Sequence, residues 1–262
     1  MPFIDIYNFR ARLLPAVIGV APAIALAAIS ISWSALSLPQ VIATVAIAVL
    51  FIAASDLARR MGKRFERKMF AATRGRPIMT VLRHADPTLE ARTKDRYRAF
   101  LAQQLKETPP TAGDEARDPE AADAFYDRCG VWLREHTRDK TKFRILFEEN
   151  MTYGFRRNLY GLRWPGLALN ALVVAMCILL LSPYGSWIGQ TTRTGIYAVL
   201  TIAALHAVYF LFFVTRRSVE EASDQYARQL VLSCEGVMEK GSESARASLA
   251  TSLASDHAGS SA

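Results

Sequence analysis

The sequence predicts an all-α membrane protein in which four transmembrane helices, paired as two hairpins, flank a cytoplasmic helical domain. Two observations carry this. No charged residue occurs from Leu13 to Ser55, from Trp164 to Thr192 or from Thr194 to Thr215, and lysines and arginines crowd the ends of these stretches. No alternating pattern of convincing length announces a β-strand.

A helix needs roughly 20 apolar residues to cross about 30 Å of hydrocarbon. The first stretch therefore accommodates two passes, at about residues 13–32 and 39–55, and the later stretches one each, at about 165–181 and 194–215. Arginines before the first pass imitate a signal peptide, but its length and the second apolar run directly behind it argue for a membrane hairpin. Pro15 and Pro22 weaken this pass and allow a kink, while Gly19 and Ala23, four apart, permit close helix approach. The loops joining paired passes are short, Trp33 to Leu38 and Ser182 to Arg193.

Orientation follows from the cations, which are retained on the cytoplasmic side. Arg59, Arg60, Lys63, Arg64, Arg67 and Lys68 follow the second pass, Arg156, Arg157 and Arg163 precede the third, and Arg216 and Arg217 follow the fourth. The short loops carry only Arg193. Both termini and the middle segment are thus expected in the cytoplasm of a bacterium, with the passes in its inner membrane. The net charge of +8 has its origin in these juxtamembrane cations, which attract anionic lipid headgroups, so no nucleic-acid partner is expected.

Residues 1–56 are read as the N-terminal tail and first hairpin, 57–163 as the cytoplasmic domain, 164–215 as the second hairpin, 216–240 as a helical extension and 241–262 as a disordered tail. Leu57, Met61, Phe65 and Met69 continue the second pass at a spacing of four, which predicts one long helix ending near Arg74-Gly75-Arg76-Pro77. Asp86-Pro87 and Asp118-Pro119 each place a capping aspartate before a proline and predict helix starts. The apolar stripes that follow are Leu89, Tyr97, Phe100, Leu101 and Leu105, then Ala122, Phe125, Tyr126, Cys129, Trp132, Leu133 and His136. Between them, KETPPTAGDEARD reads as an exposed loop. A further helix starts near Asp139. After the fourth pass, Val219, Ala222, Tyr226, Leu230, Ser233 and Val237 predict a helix that packs on the long second-pass helix or on a copy of itself. From Gly241 the chain is Ser, Ala and Gly with few bulky apolar residues.

Catalytic patterns are lacking. The four histidines, His84, His136, His206 and His257, stand at no metal-ligand spacing, and no nucleophile elbow, phosphate loop or dinucleotide fingerprint occurs. The adjacent pair Glu148-Glu149 points to different sides of a helix. Cys129, Cys177 and Cys234 suggest neither a disulfide framework nor a zinc cluster. No cofactor, no metal and no catalytic residue is expected, and an enzyme is disfavoured.

Two polar groups interrupt the passes, Asn170 and His206. Such groups usually turn toward a bundle interior or a water path; Asn170 is expected to lie one turn inside the headgroup region, and His206 to serve either as packing glue, neutral and bonded to a neighbouring helix, or as part of a polar path. The stretch YGFRRNLYGLRW repeats after seven residues and, as a helix, gathers Tyr153, Arg156, Arg157, Tyr160, Arg163 and Trp164 on one face. Gly154 and Gly161 fall on a flank that another helix can approach. This mixture of aromatic and basic residues suits a collar anchored in headgroups, and the same chemistry suits an anionic ligand.

The runs LRHADPTLEARTKDRYRAFL and RDKTKFRILFEENMTYGFRRNLYGLR resemble segments of an uncharacterised family of small bacterial polytopic inner-membrane proteins. That resemblance implies the two-hairpin layout and carries no activity, substrate or site. The layout is also similar to that of four-pass effectors of bacterial immune systems, by analogy only. The expected function is a non-enzymatic gated pore or membrane-perturbing effector, a homo-oligomer controlled by its cytoplasmic helices through a cytoplasmic protein or an anionic small molecule. The alternative is a membrane-anchored structural or adaptor protein that presents a helical platform to a protein partner.

Overall fold

The computed structural model describes residues 6–30, 38–72, 75–183 and 190–239. The expected loop at 33–37, residues 184–189 of the loop at 182–193, Arg74 and the expected tail from Gly241 lie outside the described residues. Among the described residues the fold is all-helical, without strands.

Ile6–Asn8 and a π-helical turn, Phe9–Leu13, lead into α1, Leu14–Ser30. There follow α2, Leu38–Ala72; α3, Pro77–Leu82; α4, Ala91–Leu105; α5, Ala112–Arg117; α6, Pro119–His136; and α7, Arg144–Gly161. The chain ends with α8, Arg163–Leu181; α9, Gln190–Val208, which runs into a π-helical turn, Tyr209–Phe213; and α10, Arg216–Leu232. It divides into two compact units, Met1–Ala71 with Met151–Ala222, and Ala72–Asn150 with Ser223–Ala262. These divisions fall at 71, 150 and 222, where the sequence suggested 56, 163 and 215.

The first unit is built on α1, α8 and α9, which pack on one another as a bundle. Val173 and Cys177 of α8 meet Ile196 and Val199 of α9, with Ala23, Leu26 and Ile29 of α1 against them. α2 joins through Leu50 and Ala54, which lie against Ala16, Val20, Ile24 and Leu169. Outward, the bundle presents bulky apolar side chains, among them Leu172, Ile178 and Leu179 of α8 and Leu205, Phe212 and Phe213 from α9 and its π turn. Water penalises such a surface and lipid does not.

Three stretches are long and apolar enough to cross a membrane, Ile6–Ile29, Arg163–Leu181 and Arg193–Phe213. The sequence predicted four. The remaining run, Pro39–Ser55, is helical, but it is the apolar half of a 35-residue helix whose other half carries Asp56, Arg59, Arg60, Lys63, Arg64, Glu66, Arg67 and Lys68. The expected continuity of this helix beyond Ser55 is present.

The second unit has its own core. Ile78, Val81 and Leu82 of α3, Tyr97 and Leu101 of α4, and Phe125, Tyr126, Cys129 and Leu133 of α6 pack with Leu146 of α7 and with Ala227, Leu230 and Val231 of α10. The helix after the fourth pass, expected to pack on the long second-pass helix or on a copy of itself, thus contributes its later residues to this core. Gly75 opens the unit at φ +128°, a conformation glycine adopts without penalty, and Pro77 starts α3. Asp118 caps α6 as expected, accepting from the Ala121 amide at 3.0 Å.

Two expectations fail here. Asp86-Pro87 does not start a helix; α4 begins at Ala91. Instead Asp86 accepts from the Thr88 amide at 2.9 Å in a tight turn, and its carbonyl accepts from the buried Lys94 ammonium. The loop KETPPTAGDEARD contains α5, stabilised by a reciprocal cap in which Thr111 and Asp114 each accept from the other's amide.

Burial pushes the Cys129 thiol up to about 12 and raises that of Cys234 as well. At pH 8 the Cys129 thiolate is then a fraction on the order of one in ten thousand. Maleimide at pH 8 is therefore expected to leave both thiols unlabelled in the native protein and to label them after unfolding. Rapid native labelling of either would show that this core opens.

Candidate functional site

The apolar first helix sets the problem from which the site is built. Proline has no N–H, so within a helix it leaves the carbonyl four residues earlier without its partner. Pro15 does this to Ala11, and Pro22 to Ile18. Inside a bundle shielded from water an unpaired carbonyl is costly, and a neighbouring helix has to supply a donor.

For Ala11 the donor comes from α7. Asn158, 1 % exposed, donates from Nδ2 to the Ala11 carbonyl at 2.7 Å. Its Oδ1 accepts from Arg157 Nε at 3.3 Å. Arg157 Nη1 in turn donates to Glu66 Oε2 of α2 at 2.8 Å, and the guanidinium lies 5.5 Å from the centre of the Tyr153 ring. α1, α2 and α7 are thus joined by one chain of polar contacts.

Glycine makes the approach possible. A methyl group at Gly161 would stand 2.5 Å from the Gly62 amide nitrogen and 2.9 Å from the Ala58 carbonyl, so α7 and α2 meet backbone on backbone. At Gly154 it would stand 3.1 Å from Ala11 Cβ and 3.3 Å from the Tyr7 hydroxyl. The expected approachable flank of α7 exists, and two different segments occupy it.

The six expected collar residues do not form a single patch. Tyr153 and Arg157 are together in the cluster just described. Arg156 Nη1 donates to the Ser218 carbonyl at 3.0 Å. Tyr160 lies against Phe65, ring centres 4.3 Å apart. Arg163 Nη2 donates to the Leu211 carbonyl at 3.2 Å and its guanidinium lies 5.4 Å from the Trp164 ring. Of the six, Trp164 alone is exposed, at 68 %. The arginines are engaged mainly with protein partners. Sequence reasoning missed Glu66, Asn158 and Gly62. Pro15 was the available signal, since a proline inside an apolar helix announces a carbonyl in search of a donor.

Asn170 and His206 both face the bundle interior, 5 % and 6 % exposed. Asn170 Nδ2 donates to the Ala203 carbonyl at 3.0 Å, one turn from His206 on α9. The His206 ring stacks on Phe210, centres 4.3 Å apart, and lies against the backbone of Ile18 and Gly19.

The second unit contains a separate polar cluster. Lys94, 1 % exposed, donates to the carbonyls of Arg83 at 2.8 Å and His84 at 3.1 Å as well as to that of Asp86. Burial lowers its pKa, and the Asp86 carboxylate partly opposes this. Arg98 donates to the Leu82 carbonyl at 2.7 Å and lies 3.0 Å from His84 Nδ1; His84 Nε2 lies 3.1 Å from the Pro110 carbonyl. Neutral His84 with its proton on Nε2 satisfies both contacts. Glu115 accepts from the His84 amide and from the Tyr126 hydroxyl. These groups hold the 83–90 turn in place. Among the described residues no group of three or more His, Cys, Asp or Glu side chains is placed to hold a metal ion.

Fold and site together define a helical protein with three apolar helices suited to a membrane and a polar tie between α1, α2 and α7. No family model, curated protein or solved structure matches the chain.

Asn158→Ala leaves the Ala11 carbonyl unpaired and is expected to cost about 1–3 kcal/mol of stability. In a Pro15→Ala background the carbonyl regains a helical donor, so the same substitution should cost less. Unfolding in detergent of the two single variants and the double variant measures the coupling, and strictly additive losses would refute the proline-carbonyl account. Gly161→Ala forces α7 off α2 and is expected to destabilise by about 1–3 kcal/mol. Gly113→Ala, whose methyl would meet Thr111 Oγ1 at an ordinary 3.7 Å, provides the comparison.

Proposed function

We propose that this chain is a membrane-embedded effector of the bacterial inner membrane, a non-enzymatic gated pore or membrane-perturbing protein that acts as a homo-oligomer under the control of its cytoplasmic helices. The observation that carries the reading is the tie from Asn158 to Ala11, from Arg157 to Glu66 and from Gly161 to Gly62. A displacement of α7 is passed through it to α2 by direct backbone contact, and to the proline-interrupted start of α1 by a buried hydrogen bond.

In this reading Pro39–Ser55 supplies a fourth crossing, the passes form two hairpins, and both termini are cytoplasmic. Val41, Ile42, Val45, Val49 and Ile52, exposed on α2, then meet lipid. Arg59, Lys63, Arg64, Arg67 and Lys68, exposed one to four turns further along, meet anionic headgroups together with Trp164. The trigger is a cytoplasmic protein or an anionic small molecule.

Arg157→Glu sets two carboxylates against each other and should loosen the tie. In liposomes of phosphatidylethanolamine and phosphatidylglycerol the variant is expected to release trapped dye at a rate different from wild type at equal incorporation. An intact permeability barrier with both proteins, at every protein density, would count against a pore.

The self-contained core of the second unit favours a second reading, a structural or adaptor protein that displays this helical unit to a protein partner. Cross-linking in native membranes should then recover one companion at fixed stoichiometry while the barrier stays intact.

A further inference from the structure

We propose that Arg134 and Arg76 form a binding site for a phosphate group on the second unit, on the face of α6 left open by Gly130. The proposal gives the anionic trigger of the effector reading a place, and rests on that reading only for what binding does at the membrane.

An arginine is costly to withdraw from water unless its charge is met. Among the described residues, three arginines of this unit are not exposed: Arg83, Arg98 and Arg134. Arg83 meets the Asp123 carboxylate, and Arg98 meets Asp95 and the Leu82 carbonyl. Arg134, half-buried in the last turn of α6, has neither a hydrogen bond nor an ion pair among the described residues.

A half-buried arginine ordinarily covers apolar surface with its stem and reaches water with its head. Arg134 instead turns its guanidinium back along α6. A methyl group at Gly130 would stand 3.3 Å from Arg134 Nη1 and 3.0 Å from Ile78 Cδ1, so the missing side chain leaves the room in which the guanidinium lies beside Ile78. This direction also takes it away from the carbonyls at the end of α6. Its unpaired N–H groups remain open to solution, and a ligand can reach them.

Arg76 approaches the same face of α6 from the start of α3. Its Nη1 donates to Asp127 Oδ1 at 3.2 Å, three residues before Gly130, while Ile78, two residues after Arg76, lies on Gly130 itself. The backbone there is fixed by Gly75 at φ +128°, by Pro77 and by the bond from the Arg76 amide to Met79 Sδ at 3.3 Å. Two guanidinium groups therefore meet α6 about one turn apart, roughly 5.4 Å along its axis. Asp127 engages Arg76 through that single contact, with both side chains exposed. Burial lowers the pKa of Arg134 and Arg76 adds to the effect, while Tyr226, Asp127 and Glu135 each oppose it less. A phosphate group supplies what the pair lacks. Its oxygens accept from two guanidinium forks at once, and the Ile78 wall strengthens the attraction by excluding water.

The test is calorimetric titration of the full-length protein, in uncharged detergent at constant ionic strength, with inorganic phosphate, glycerol 3-phosphate and dihexanoyl phosphatidic acid in parallel. Wild type is expected to bind one phosphate per chain with a dissociation constant of about 1 mM or tighter. Arg134→Lys keeps the charge and the stem but loses the fork, and should weaken binding about tenfold with the unfolding transition unchanged. Asp127→Asn removes the competing carboxylate and should tighten binding, whereas Arg228→Gln, at an exposed arginine of α10, should leave it unchanged. Phosphatidic acid that binds about tenfold tighter than glycerol 3-phosphate assigns the phosphate to a lipid headgroup, and equal affinity assigns it to a soluble ligand. Absence of saturable binding with all three, or equal affinity in wild type and Arg134→Lys, overturns the proposal and makes Arg134 a packing group. Phosphate that binds here without altering dye release from liposomes supports the site and counts against the effector reading alone.

Discussion

Much of the first unit depends on one constraint, that a carbonyl deprived of its helical donor inside an apolar bundle must be given another. Pro15 deprives Ala11, and Asn158 supplies the donor at 2.7 Å. That bond requires α7 to run close to the start of α1, which Gly154 permits. It also fixes the Asn158 side chain so that Oδ1 faces Arg157, whose guanidinium then reaches Glu66 on α2. The backbone contact of Gly161 with Gly62 lies one turn further along the same helix, on a path that a larger residue at either position would block. A buried pair such as Arg157–Glu66 is weak evidence for stability by itself, since desolvation offsets much of its attraction. Here its geometry is set by neighbours that are themselves fixed, so it specifies how three helices meet.

The second unit is organised by a different device. Lys94 places its ammonium among three carbonyls of the 83–86 turn, in the manner of a bound cation, and Arg98, His84, Glu115 and Tyr126 close the network around it. The turn takes its shape from these long-range contacts. That is why Asp86-Pro87, which has the local form of a helix start, does not begin a helix.

The two units therefore divide the polar chemistry between them. In the second, polar groups complete a fold whose core is ordinary: aliphatic and aromatic side chains from α3, α4, α6 and α10. In the first, within helices whose outer surfaces are apolar, Asn158 repairs a backbone defect at Ala11 and Asn170 bonds the Ala203 carbonyl. The tie at Ala11 joins α7 to the start of α1, and the effector reading rests on this contact.

The sequence by itself determined the helical class, three apolar helices suited to a membrane, the continuity of α2 past Ser55, the Asp118 cap and the core stripe of α6. These are local properties: hydropathy over one helix length, periodicity and capping are legible because near neighbours in the chain decide them. It also marked Gly154 and Gly161 as a flank open to approach, and Asn170 and His206 as the polar groups that interrupt the apolar passes. Tertiary structure alone decided that Glu66, Asn158 and Gly62 belong to the tie, that the arginines of the repeated stretch face protein carbonyls and a carboxylate, and that α10 joins the core of the second unit. Glu66 and Arg157 are 91 residues apart, and Asn158 and Ala11 147 apart. No periodicity spans such separations, because the donor that a freed carbonyl finds depends on which helix packs beside it.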